Sequence, residues 1–354
     1  MNYWVSVTFR AIPLVMAALC LGFGIEVWTA ADQPGNLVAG RVVTFLAAIC
    51  VCLFCTAAVI IRQLIHRFNA VDKVVYPTLG YLTALGTATY GVVLASQGSS
   101  SGTDPDYIAG HVVLGLGLIS GCVATVATAS LKFSLIPVNS AKPKENHEPP
   151  DEAYPRGLGL GLVAVPVVLA LTAWTIAAVN LALAGTPSRF TVGHVVAGLA
   201  MICTSLIALV VSIVRQVRNS YLPRHRVMWP WVVIAMGTLN IVWGIVLLVL
   251  DRSPAYQTPG LVMIGLGLVC FSILSKVGLL ALVWRRTFPL ANRVPLIPVL
   301  TALTCLYLAA FTFQAAVTDP NVFVAARVLT GLGAICFSLY SIVSILESGT
   351  SGSG

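Results

Sequence analysis

Ten long apolar runs constrain the fold of this 354-residue chain more than any other feature of its sequence. Each run has about the twenty residues that an α-helix needs to cross a hydrocarbon core of about 30 Å. Only 9% of the residues are charged, against about 25% in soluble domains. The sequence therefore predicts an all-α polytopic membrane protein with ten transmembrane helices. The predicted spans are 11–29, 39–62, 74–96, 109–131, 157–184, 192–214, 229–250, 259–283, 295–317 and 324–346.

A twelve-residue motif recurs in every second apolar run. Its copies include AGRVVTFLAAIC, which begins at Ala39, and VGHVVAGLAMIC, which begins at Val192. We call the second residue of each copy the anchor; successive anchors are 70, 83, 67 and 66 residues apart. Five copies in register indicate an internal repeat. The anchors are Gly40, Gly110, Gly193, Gly260 and Ala326.

The repeat predicts five helical hairpins in one transmembrane domain over residues 1–347, arranged as a pseudo-fivefold bundle. The predicted hairpins are 9–67, 73–133, 156–218, 227–286 and 293–347. A proline near the start of each odd span is expected in the first helical turn, where its missing N–H has no helical partner. A functional kink is the less favoured alternative. These prolines are Pro13, Pro77, Pro166, Pro230 and Pro298.

Three segments need a separate interpretation. The apolar N-terminal stretch resembles a signal peptide, but it occupies the place of a full helix in each later unit, so we expect it to be retained. Residues 138–156 are rich in proline and charge and lack apolar periodicity, which predicts a disordered cytoplasmic linker. Residues 348–354 are interpreted as a flexible tail left by cloning.

Basic residues indicate the orientation. They follow the even spans, as at Arg62, Lys132 and Arg215, whereas mainly acidic residues follow the odd spans. Since short cytoplasmic loops are enriched in Lys and Arg, both termini are expected in the cytoplasm. The net charge of +8 then needs no nucleic-acid partner.

The residue after the anchor is cationic or titratable in four of the five units: Arg41, His111, His194 and Arg327, with Leu261 in the other. Such groups at membrane depth usually face a partner or a water-filled path. They could form a ring near the outer mouth of a central pathway. With equal weight, they could pair with acidic residues and fasten each hairpin. The acidic candidates are Asp32, Asp104, Asp106 and Asp319.

A second ring is predicted ten residues after the anchor, about 15 Å deeper at 1.5 Å per residue. Its members are Cys50, Ser120, Cys203, Cys270 and Cys336. Glycines lie between the two rings, where they permit close approach of another helix or, as the less favoured alternative, of a passing solute. These glycines are Gly115, Gly198, Gly265 and Gly331, with Gly117, Gly267 and Gly333. Lys276, near the end of the eighth span, is expected to extend its stem to the interface.

The sequence contains no set of residues that supports catalysis. It has no nucleophile–base set, Walker loop or dinucleotide motif, so we do not expect an enzyme. Most of the nine cysteines lie in apolar runs, where a thiol behaves as a small hydrophobic group. Haem ligation by His111 and His194 is a weak alternative without a C-x-x-C-H motif. We therefore expect no cofactor and no metal.

Several stretches resemble the YhiM family of enterobacterial inner-membrane proteins, to which no biochemical activity is assigned. They are SKVGLLALVWRRTFPLANRVPLIPV from Ser275 to Val299, SIVSILE from Ser341 to Glu347, and the AGHVV units. The resemblance implies a ten-span inner-membrane protein connected with growth or survival at low pH. Five hairpins in one chain are also similar to the TehA/SLAC1 anion-channel fold, a likeness of architecture and not of motifs.

These features predict a channel or transporter for a small solute, above all an anion, that responds to acid through His111 and His194. Its partners would be the lipid bilayer and a small anion or proton. The alternative is a non-transporting envelope-stress protein, a sensor or scaffold with a closed, well-packed centre. A continuous polar path would favour transport, whereas a core closed by Leu, Phe and packed Gly would favour the scaffold.

Overall fold

The computed structural model describes residues 3–30, 33–136, 151–282, 293–315 and 323–351. These residues form ten long α-helices and one short 3₁₀ helix, Ser130–Leu135. All ten helices are long and apolar enough to cross a membrane, which confirms the all-α polytopic prediction. The helices are α1 (Tyr3–Thr29), α2 (Pro34–Leu64), α3 (Ala70–Gln97), α4 (Pro105–Ala129), α5 (Arg156–Ala182), α6 (Pro187–Val217), α7 (Pro223–Leu250), α8 (Pro254–Leu282), α9 (Leu296–Ala315) and α10 (Phe323–Ser351).

Even and odd helices occupy different layers. In the most apolar stretch of each even helix, 72–89% of the residues are buried, against 28–33% in the odd helices. The even helices are therefore the inner layer, and the odd helices expose most of their surface to lipid.

The inner helices contact one another in a closed cycle. The order of contacts is α2, α4, α6, α8, α10 and back to α2. Each outer helix packs on the inner helix of its own hairpin and on the preceding inner helix, so α3 packs on α4 and α2, and α1 on α2 and α10. We call each contact between adjacent inner helices a seam.

The anchor glycines lie where the two helices of a hairpin cross. A Cβ at Gly40 would lie 2.6 Å from the backbone nitrogen of Trp28 in α1, and one at Gly110 would collide with the backbone of Ala95 in α3. Since backbone atoms cannot move aside as a side chain can, only glycine permits the approach at these two anchors; the fifth anchor is Ala326. The repeat therefore marks the close contact between the two helices of a hairpin.

The predicted position of the outer-helix prolines is wrong for four of the five. Pro13, Pro77, Pro166 and Pro230 lie well inside their helices, and Pro298 alone is in a first turn. These helices begin several residues before the proline, because backbone N–H and C=O groups without hydrogen bonds are costly in a membrane. An internal proline is tolerated there, since groups of neighbouring helices can bond the carbonyl that it leaves free. Four of the five inner helices begin with a proline, and one outer helix, α7, begins with Pro223. The inner-helix prolines are Pro34, Pro105, Pro187 and Pro254.

Two predicted flexible segments are shorter than expected. Residues 138–150 of the linker lie outside the described residues, but Tyr154 is buried and donates a hydrogen bond to the carbonyl oxygen of Thr128 (2.8 Å). Arg156 already begins α5. Residues 348–351 of the predicted tail continue α10, which ends at Ser351. Residues 352–354 lie outside the described residues.

Candidate functional site

Fifteen aliphatic side chains enclose the axis of the ring of inner helices. Each inner helix contributes three, at spacing i, i+3 and i+7, which places them on one helical face. They form three layers. The first layer is Leu46, Leu116, Leu199, Leu266 and Leu332; the second is Ile49, Ile119, Ile202, Val269 and Ile335; the third is Leu53, Val123, Leu206, Ile273 and Leu339.

The space between these side chains is small and apolar. The axial cavity has a volume of about 30 Å³ and is lined by the fifteen aliphatic residues alone. That volume could hold a water molecule or two, but a buried water needs two to four polar partners, and the lining provides none. The axis is therefore closed to water and ions in this conformation.

The first layer packs into the predicted glycines. A Cβ at Gly115 would lie 2.5 Å from Cδ1 of Leu199 on the next inner helix, and one at Gly198 would lie 2.6 Å from Cδ1 of Leu266. Equivalent contacts join Gly265 to Leu332 and Gly331 to Leu46. At the remaining seam Phe45 occupies the glycine position and stacks on Tyr90, with ring centroids 4.7 Å apart. The glycines thus accept leucines from a neighbouring helix.

The predicted ring of Cys and Ser lies at the seams. Each member is fully buried and contacts a Cys or Ser that lies twelve residues after the anchor of the preceding inner helix. None of these residues lines the axial cavity. The second set of small polar residues was missed, although the repeat register shows it. The pairs are Cys50–Ser338, Ser120–Cys52, Cys203–Cys122, Cys270–Ser205 and Cys336–Ser272.

The two predicted arginines join adjacent inner helices at their N-terminal ends. Arg41 of α2 pairs with Asp106 of α4 and lies over the ring of Trp28, with Cζ 5.6 Å from the centroid. Arg327 of α10 donates to the side-chain oxygen of Asn36 in α2. The polar contacts of both arginines therefore link two hairpins, and only the cation–π contact of Arg41 with Trp28 lies within one hairpin.

Of the other acids considered, Asp32 and Asp319 lie outside the described residues. Asp104 is the N-cap of α4 and accepts the backbone N–H groups of Asp106 and Tyr107. It is therefore bound to backbone and not to a cation.

The two histidines have equivalent surroundings. Nδ1 of His111 donates to the carbonyl oxygen of Tyr107 (2.8 Å), and Nδ1 of His194 donates to that of Phe190 (2.7 Å). Each imidazole also lies against the aromatic ring of the same partner residue, with centroids 4.3 and 4.2 Å apart. His194 further meets Trp243 of α7 edge-on. Neither histidine lines the axial cavity.

Beyond the third layer, the helical repeat continues the axial face with Lys276. This residue lies ten positions after Leu266 on the continuous helix α8, and it is only 1% exposed. The expectation that its stem extends to the interface is therefore wrong, because neighbouring helices enclose it. The equivalent positions on the other inner helices are Thr56, Val126, Leu209 and Ile342, all buried. Sequence reasoning named Lys276 but missed its axial position, which the register of the repeat could have shown.

Comparisons with known proteins agree on one family. The model of the family described as "Protein of unknown function (DUF2776)" matches residues 1–351. The chain is 43% identical over 350 residues to "Inner membrane protein YhiM" of Escherichia coli (strain K12), which covers 99% of each chain. No solved structure matches, so the likeness to the TehA/SLAC1 fold stays an expectation.

Proposed function

The chain belongs to the DUF2776 family, and from this premise we propose that it is an inner-membrane channel or transporter for a small solute. The solute path runs along the axis of the five inner helices and is closed by three aliphatic layers. The observation that carries this proposal is the shared register of the fifteen axial side chains. Hydrophobic constrictions of this kind gate a path by excluding water.

The length of the constriction is suited to a gate. Seven residues separate the first and third layers on each helix, which corresponds to about 10 Å at 1.5 Å per residue. The glycine contacts of the first layer let its leucines withdraw from the axis if adjacent helices slide or rotate. A modest motion of the inner helices would then open the path.

Acid response belongs to the same proposal. His111 and His194 lie close to the N-terminal ends of α4 and α6, at the repeat position where Arg41 and Arg327 make seam contacts on other inner helices. Protonation would place a positive charge against the aromatic partners of each imidazole. We propose that this charge changes the contact between neighbouring inner helices, and thereby the width of the first layer.

The experiment is a flux measurement with the pure full chain in liposomes, with chloride, formate, potassium and glycerol as test solutes. We expect Leu332→Ser to raise flux at least tenfold over the wild type, because it removes bulk from the first layer and adds a hydroxyl group. Leu329→Ser is the matched control, since Leu329 is buried on the same helix but lies outside the axial lining. Both variants create cavities of similar cost, so folding is checked for both.

Equal flux through the two folded serine variants would contradict the proposed path. It would favour the second candidate, a non-transporting sensor or scaffold in the membrane. The specific observation behind that candidate is the closed core, in which aliphatic layers and glycine contacts leave no continuous polar path along the axis. Flux that increases only when the axial leucine is changed favours transport.

A further inference from the structure

Lys276 is a buried cation on an otherwise aliphatic face. Leu266, Val269 and Ile273 of α8 line the axial cavity, and Lys276 lies on the same face, one turn beyond Ile273. Thr56 of α2 occupies the equivalent position and is fully buried. The axial face thus changes from aliphatic to partly polar at the C-terminal end of the constriction.

A buried ammonium group needs a counter-charge, because removing it from water without one is costly. Within the part of the chain that the structure describes, Lys276 takes part in no ion pair. The acidic residues of the inner helices are otherwise engaged: Asp106 pairs with Arg41 at the opposite end, and Glu347 has an interaction of its own. The described protein therefore supplies no fixed counter-charge to this lysine.

The register of the repeat places two hydroxyl groups, those of Thr56 and Ser130, on this part of the axial face. Thr56 donates through Oγ1 to the carbonyl oxygen of Cys52 (3.1 Å). Ser130 of the short 3₁₀ helix, one turn beyond the lysine layer, donates to the carbonyl oxygen of Val126 (2.7 Å). Both hydroxyls can rotate to donate to another acceptor. A cation in the same layer of the ring as a hydroxyl donor is the chemistry that binds a small anion.

We propose that Lys276 is the binding group of a site for a small monovalent anion, such as chloride, on the axis of the inner-helix ring. The inference deepens the proposed function, because the site lies on the proposed path. The anion must be small, since the path to this layer passes the axial cavity, whose volume is only about 30 Å³. The anion supplies the counter-charge that the described acidic residues do not.

The test is the melting temperature of the full chain in detergent, titrated with sodium chloride against sodium gluconate at constant ionic strength. A ligand that binds only the folded state raises the melting temperature as its concentration exceeds Kd. We expect a saturable chloride effect for the wild type and for Lys276→Arg. Lys276→Met, which keeps the length of the side chain without its charge, should lose the effect. Lys73→Met, at an exposed lysine of α3, is the matched control and should keep it.

Two results would overturn the proposal. One is a wild-type melting temperature that responds equally to chloride and gluconate. The other is a chloride effect of unchanged size in folded Lys276→Met, which would show that the anion binds elsewhere. Failure of the proposed function looks different, because Leu332→Ser would then show no flux while the chloride effect still depended on Lys276.

Discussion

At the scale of single residues, the Asp104 carboxylate at the N-terminal end of α4 is bound by backbone N–H groups. Asp104 accepts the N–H groups of Ser99 (2.7 Å), Asp106 (2.8 Å) and Tyr107 (3.2 Å). These donors, the Ser99 N–H first, hold the pKa of the Asp104 carboxyl below its ordinary value. The carboxylate thus orders both the loop before α4 and the first turn of the helix.

We predict that Asp104→Ala lowers the free energy of unfolding by about 0.5–2 kcal/mol at pH 7, since a helix N-cap is lost. Asp104→Asn should lose less, because Asn also caps. The charge-dependent part of the stability is present above the unfolded pKa of about 3.9 and is lost as pH falls through the lower folded pKa. Unfolding measured at pH 7 and pH 3 checks this. An advantage of wild type over Asp104→Asn that is as large at pH 3 as at pH 7 would contradict it.

At the scale of the helices, small residues determine how closely neighbours approach. Anchor glycines meet the outer helix of their own hairpin, and the glycines five residues later accept leucines from the next inner helix. The two contacts differ in tolerance, because a leucine side chain can shift and a backbone cannot. Replacement of an anchor glycine should therefore be the more damaging change.

We predict that Gly110→Ala lowers the melting temperature strongly, by the equivalent of about 1–3 kcal/mol or more, because its methyl group would overlap the backbone of Ala95. Gly22→Ala in α1 is the control, since a Cβ there meets no atom within 4 Å. That variant should be neutral or slightly stabilising, as Ala favours helices. Similar melting temperatures for both variants would mean that α3 and α4 do not cross this closely.

At the scale of the whole molecule, the five inner helices form one closed ring, and fifteen aliphatic side chains fill its centre except for a small cavity. Any solute path must pass all three aliphatic layers together. In the proposed function, a change at one seam therefore affects the width of the axis for all five helices. The histidines belong to this scale, because neither lines the axial cavity and the proposed acid response reaches the axis only through helix contacts.

We predict that a double variant, His111→Gln with His194→Gln, removes the difference between solute flux at pH 5 and at pH 7.5. The reason is that Gln keeps a polar side chain but cannot gain a proton. His66→Asn is the matched control: His66 is exposed outside the spans and has φ 54°, a conformation that Asn tolerates. Flux with the wild-type pH profile in the double variant would exclude these histidines as acid sensors.

The sequence by itself determined the ten helices, because a run of twenty apolar residues has one favourable conformation in a bilayer. It also placed Gly115, Cys50 and Arg41 at repeat positions. Their roles as helix contacts depended on partners such as Leu199 and Ser338 from other hairpins, which no local pattern identifies. The predicted position of the outer-helix prolines was wrong for a similar reason, because packing against neighbouring helices allows a proline inside a helix and the local sequence does not show that packing.

Only the tertiary structure decided which helices are inner. Lipid is as apolar as a protein core, so hydrophobic periodicity cannot distinguish a leucine that faces the axis from one that faces the membrane. Leu332 is 2% exposed and Leu300 is 61% exposed, although both lie in apolar helices. The sequence also could not decide the position of the Lys276 side chain, which can extend to an interface or be enclosed by neighbouring helices. The packing of the inner helices encloses it.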